Sequence, residues 1–125
     1  VTVDAGLFRR REEDEYWFDE GCYILELLND PADPAVSVVR ARVAPGQTTR
    51  WHRLRDTVER YLVQEGRGEV GLGDAPVHRV GPGDVVLIPP MTPQRIHNPG
   101  PGDLVFLAIC SPRFTPACYE DLEGS

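Results

Sequence analysis

A chain of 125 residues, 41% hydrophobic and 26% charged, has the size and composition of one globular domain that folds without a disulfide or a metal. Its formal charge of −7 repels phosphate backbones and anionic lipid, which excludes nucleic acid and membrane as default partners. Neither a run of about 18 apolar residues nor a basic-then-apolar leader occurs, so neither a membrane span nor a signal peptide is expected.

Residues 1–20 read as an N-terminal arm. Within it, F-R-R-R-E-E-D-E at 8–15 mixes charges as a solvated segment does, with room for a short helical turn. From Cys22 the pattern is that of strands. Residues 22–28 are apolar apart from Glu26, with Tyr23, Leu25 and Leu27 on one parity. Residues 36–43 place Ser37, Val39, Ala41 and Val43 on one parity and Val36, Val38, Arg40 and Arg42 on the other. The intervening N-D-P-A-D-P carries two Asp-Pro steps and continues neither strand. Further strands are expected at 48–52, 58–64, 69–72, 77–80, 84–88, 94–98 and 104–110. Turn signals part them, among them Gly73-Asp74, Gly81-Pro-Gly-Asp84 and Pro99-Gly-Pro-Gly102. Short, evenly spaced strands without helical periodicity predict an all-β sandwich or barrel. The core is expected at about 36–111, with a tail at 112–125 completing a single domain.

Three cysteines, Cys22, Cys110 and Cys118, are odd in number and lack C-x-x-C spacing. That fits a reduced, cytoplasmic setting better than a disulfide framework. Cys110 closes the apolar run that begins at Leu104, where a thiol packs as a small hydrophobe.

Two stretches carry the chemistry. The first, G-Q-T-T-R-W-H-R-L-R-D-T-V-E-R-Y-L-V-Q-E-G, spans residues 46–66, and the second, G-D-V-V-L-I-P-P-M-T-P-Q-R-I-H-N, spans 83–98. Alternate side chains of a strand share a face, so His52 pairs with Leu54, Glu59 with Tyr61 and Val63, and Gln94 with Ile96. If those faces line a barrel, His52, Glu59 and Gln94 converge on one cavity. His97 has the opposite parity to Gln94 and is expected to point away unless a bulge re-aims it. His78 lies in a turn or edge strand.

The joint spacing of Gly46, His52, Glu59 and Gly66, then Gly83, Pro89 and Asn98, resembles the paired signature motifs of the cupin superfamily. The resemblance implies an antiparallel double-sheet jelly roll, a small-molecule ligand in its interior and a homodimer. It also implies a divalent transition metal (Fe, Mn, Ni or Zn) held by three imidazoles and a carboxylate. Here Leu54 stands where the second imidazole is expected and Gln94 where the last is, which leaves His52, Glu59 and Gln94 as the ligand set. Met91 replaces a glycine of the second motif.

Three functions follow from these residues. The first is a metal-dependent dioxygenase, isomerase or lyase acting on a small polar metabolite. In the second, His52 and Glu59 serve as a metal-free acid–base pair of the epimerase or cyclase type. The third is a non-catalytic ligand-binding or sensing barrel. Fold alone does not choose among them. Arg40, Arg42 and Arg95 are read as partners of nearby carboxylates or of an anionic ligand, Trp51 and Tyr61 as packing residues. The outer-parity residues Val85, Leu87, Leu107 and Ile109 are expected to meet a second copy or a second sheet.

Overall fold

Eleven short strands build the fold within residues 3–124, the residues described by this computed structural model. They are β1 (Tyr16–Phe18), β2 (Cys22–Leu28), β3 (Ser37–Val43), β4 (His52–Leu54), β5 (Val58–Glu65), β6 (Gly68–Leu72), β7 (His78–Val80), β8 (Val85–Ile88), β9 (Gln94–His97), β10 (Leu104–Ser111) and β11 (Tyr119–Asp121). One sheet runs β1-β2-β3-β10-β5-β8, the other β11-β4-β9-β6-β7. All pairings are antiparallel. This is the all-β double-sheet jelly roll expected from the sequence. No helix among the described residues is long and apolar enough to cross a membrane.

The period-two pattern decides which face is interior. Ser37, Val39, Ala41 and Val43 of β3 are buried, as are Glu59, Tyr61 and Val63 of β5, Gln94 and Ile96 of β9, and His52 and Leu54 of β4. Val43, Val63, Val70, Ile88, Ile96, Leu104 and Phe106 form a hydrocarbon core at one end of the sandwich. At the other end the inward residues of β3 and β10 are small, Val39, Ala41 and Ala108, and a cavity of about 290 Å³ opens there.

The arm does more than dissolve in water. A 3-10 turn at Glu12–Asp14 leads into β1, which adds an edge to the larger sheet. Glu12 and Glu15 grip Arg40, and Glu15 also grips Arg42, so the arm crosses the outer face of that sheet. Leu25, paired with Arg40 on that face, is 1% exposed. The inward side of β2 is therefore the other parity, with Ile24 and Glu26 at the cavity. The tail also folds back, and β11 pairs with β4.

The strand expected at 48–52 is a correction. Thr48 makes only an isolated bridge to His97, and β4 begins at His52. Thr49 takes both backbone groups of Ile96: its N–H donates to the carbonyl, and its Oγ1 accepts from the N–H. A side chain thus replaces a strand partner. His78 is exposed, and the outer face at β8 leaves Val85 and Leu87 about 60% exposed, covered by no second sheet.

Two backbone positions set a measurable contrast. Gly66 has φ +75°, and a Cβ there would collide with the carbonyl of Asp103. Met91 has φ 66°, a left-handed conformation that glycine adopts without strain. Gly66→Ala is expected to cost more than about 2 kcal/mol, while Met91→Gly is neutral or stabilising by under about 1 kcal/mol. Denaturant midpoints of the two variants check both signs.

Candidate functional site

The cavity is a mostly hydrocarbon chamber with a few polar groups aimed into it. Phe18, Ile24, Val39, Phe106 and Phe114 supply much of its wall. Glu20, Glu59, Tyr61, Cys110 and Tyr119 supply the chemistry. Tyr16 and Glu26, both exposed, stand at the mouth, with the tyrosine hydroxyl 3.4 Å from a Glu26 carboxylate oxygen.

Glu59 projects inward from β5, opposite Ile88 on one side and Cys110 on the other. The Cys110 thiol donates to Oε2 at 3.7 Å, while Oε1 is buried without a hydrogen-bond partner. Burial pushes its pKa up to about 7, opposed by the nearby His52 and assisted by the negative charge of Glu20.

Glu20 sits at the tip of the β1–β2 hairpin, where Gly21 takes φ +112° and donates its N–H to Phe18. Its Oε1 lies 3.1 Å from Nε2 of His52, and its Oε2 accepts from the Cys22 thiol at 3.5 Å. Burial raises this carboxyl too, to about 7. Burial likewise pushes both thiols up, so they stay protonated donors.

His52 is 2% exposed on β4. Its Nδ1–H donates to the Arg50 carbonyl at 2.7 Å, which leaves Nε2 for Glu20. The ring stacks on Tyr119 at 5.1 Å between centroids and 18° between planes. Burial holds its pKa below the usual histidine value. With Nδ1 carrying a hydrogen, Nε2 of His52 and Oε1 of Glu20 face each other at a distance one proton can bridge.

Gln94 lies beside His52 in the β4–β9 pairing and is 1% exposed. Its Oε1 accepts from the Tyr61 hydroxyl. Tyr61 thus borders the cavity and also packs on Phe106 at 4.4 Å. Trp51 lies elsewhere, under the guanidinium of Arg95 and against Gly71. His97 bonds Thr48 at 2.7 Å.

Of the three residues expected to converge on one cavity, only Glu59 lines it, while His52 and Gln94 are buried behind its wall with their donor atoms committed in different ways. β4 and β5 are consecutive in sequence yet belong to opposite sheets, so His52 and Glu59 approach from opposite walls. His52 reaches the cavity through Glu20. For a metal, both imidazole nitrogens are engaged, Gln94 Oε1 is engaged by Tyr61, and Leu54 is a buried hydrocarbon paired with Tyr119 of β11. Among the described residues no three His, Cys, Asp or Glu side chains form a cluster that would hold an ion. This donor set does not fit a transition metal.

Glu20 and Tyr119 escape motif reading because both lie outside the two motifs. D-E-G between the apolar runs at Tyr16 and Cys22 was the available hairpin signal for Glu20.

Residues 39–110, more than half of the chain, match the cupin domain. The chain belongs to the cupin family. It is 36% identical over 110 residues to the uncharacterized protein MJ1618 of Methanocaldococcus jannaschii, covering 86% of this chain and 85% of that one. The fold is shared with KdgF from a Halomonas species, at a TM-score of 0.78 and 20% identity over 91% of this cupin and 99% of KdgF. It is also shared with Pac13, a nucleoside dehydratase, at a TM-score of 0.75 and 19% identity over 94% and 92%. Streptomyces Pac13 variants have been solved with uridine.

The buried carboxyl of Glu59 makes a signed prediction. Its pKa rises from 4.5 to about 7 on folding, so its stabilising contribution is complete below about pH 4.5 and is lost as pH rises through about 7. Glu59→Gln is expected to match the native protein near the acid end of that window. Above about pH 8 it is expected to exceed the native protein by up to about 3 kcal/mol. Thermal melts across this range read the difference.

Proposed function

We propose that this cupin is a metal-independent acid–base catalyst acting on a small hydroxylated molecule in the cavity, with elimination of water as the reaction type. The observation that carries it is the pair of buried carboxyls, Glu20 and Glu59, facing one chamber and both poised at about 7. General acid–base groups work best when their pKa lies near the working pH. The nucleoside dehydratase of the same fold supports the choice of reaction class.

Glu59 is the base. Its free Oε1 takes a proton from the carbon next to a carbonyl. Glu20, which shares a proton with His52, is the acid and gives that proton to the departing hydroxyl, so that water and an unsaturated product form. The proton on Glu59 then returns to the Glu20–His52 pair through water. The Tyr119 ring and the Arg50 carbonyl hold the imidazole in its working tautomer. The hydrocarbon wall keeps bulk water from competing for both carboxyls.

The test incubates chelator-treated protein with a panel of hydroxylated carbonyl compounds and oxidised nucleosides, read by mass spectrometry for loss of water and for exchange in deuterium oxide. Turnover is expected to survive chelation and to fall by about 10²–10⁴-fold in Glu59→Gln. Activity that disappears with chelator and returns with a metal overturns the reading. Because one carboxyl must be protonated and the other not, the rate is expected to peak near pH 7. It declines in acid as Glu59 gains a proton and in base as the Glu20–His52 pair loses one.

The same proposal takes the protein to be a homodimer closed on the outer face around Val85, Leu87 and Leu107. That face exposes Val85 and Leu87, and β8 leaves the sheet edge unpaired. Light scattering is expected to give twice the chain mass, falling to one chain mass in Leu87→Arg.

A further inference from the structure

The cavity has an unusual charge balance for a protein with thirteen basic side chains. Three carboxyl groups, Glu20, Glu26 and Glu59, line it, and none of its lining residues is arginine, lysine or histidine. Every one of the thirteen is an arginine, and several are held elsewhere by carboxylates. Arg40 and Arg42 pair with Glu12 and Glu15 on the outer face, Arg50 with Asp121, and Arg53 and Arg55 with Glu120. An anionic ligand entering this space meets like charge and no counter-charge.

Two buried acceptors in the same wall lack donors. Glu59 Oε1 is one, and Asn29 Oδ1 is the other. The orientation of the Asn29 amide follows from its Nδ2, which donates to the Phe114 carbonyl at 3.0 Å. A buried acceptor without a donor costs roughly 1–3 kcal/mol, so a ligand that turns each side chain toward the cavity and donates to it recovers that cost. The group at Glu59 must suit a carboxyl that is protonated half of the time near neutrality. A hydroxyl, which both donates and accepts, does so.

We propose that the cavity selects an uncharged small molecule presenting a hydroxyl to Glu59, a second O–H or N–H to Asn29, and an apolar face to Phe18, Phe106 and Phe114. This deepens the acid–base reading and rests on it for the role of Glu59. The volume of about 290 Å³ is at the small end of ligand pockets, which run roughly 300–1,000 Å³. Phosphorylated and carboxylated relatives of the ligand are excluded by the carboxyl wall. Asn29 contributes specificity from a residue outside both motifs.

The test is a ligand-observed NMR screen with matched neutral and anionic probes: uridine against uridine 5′-monophosphate, and galactose against galacturonate, together with a fragment set of alcohols and their phosphate esters. Binders assigned to the cavity are those lost in Ala41→Leu, or in Ala108→Val should the first variant fail to fold. Cavity binders are expected to be neutral members, with each anionic counterpart at least tenfold weaker. Asn29→Leu is expected to weaken them about tenfold and Asn29→Asp, which keeps the acceptor, much less. A cavity-bound anion equal to its neutral partner, or no cavity-dependent neutral binder at millimolar concentration, overturns the proposal. Glu59→Gln keeps an acceptor oxygen. If it binds the neutral probes and turns over as the native protein does, the acid–base reading fails while the ligand class stands. If turnover is lost in Glu59→Gln but anions bind equally, the ligand class fails while the acid–base reading stands.

Discussion

A buried polar contact between Glu20 and His52 joins the two halves of this molecule. Glu20 comes from the β1–β2 hairpin of the larger sheet and His52 from β4 of the smaller one, and their 3.1 Å contact spans the seam. Two buried titratable groups without that contact would each be left desolvated, at a cost greater than most single packing interactions in a domain this small. The surrounding structure serves the contact. Arg50 fixes one imidazole nitrogen, Tyr119 stacks on the ring, and Cys22 supplies a donor to the second carboxylate oxygen.

The cavity follows from what the inner face of the larger sheet lacks. Where β3 and β10 run side by side, Ala41 lies opposite Phe106 and Val39 opposite Ala108, and the small side chains Val39, Ala41 and Ala108 leave space that larger ones fill farther along. That space is apolar on most sides, so burial pushes the carboxyls of Glu20 and Glu59 up toward neutrality. The two thiols take part in the same economy of donors. Cys22 and Cys110 each give a hydrogen to one oxygen of a carboxyl, which leaves the other oxygen of Glu20 to His52 and that of Glu59 without a partner. A cysteine that ends an apolar run is thus both a packing residue and a donor.

The loss of metal ligands from the family pattern is coherent, not piecemeal. Leu54 lies buried beneath the β11 segment, opposite Tyr119, and the tail that carries Tyr119 also stacks it on His52. Gln94 takes the Tyr61 hydroxyl in place of an ion. Met91 accepts a left-handed backbone that glycine elsewhere in the family would hold without strain. Each departure is filled by a side chain of this chain.

Period-two alternation and turn residues made the strands, the double-sheet architecture and the inward faces of β3, β5 and β9 readable from the amino-acid order, because burial of one face constrains every second residue. Motif spacing likewise marked His52, Glu59 and Gln94 as interior. What only the tertiary structure decided is who their partners are. Glu20 and Tyr119 lie 32 and 67 residues from His52 along the chain, in segments whose charged and mixed composition reads as solvated arm and tail. They meet His52 because strand pairing at β1 and β11 carries both ends back over the barrel mouth. Local sequence encodes which way a side chain faces. The ionisation state of a carboxyl depends on everything packed around it, and that is a property of the closed fold alone.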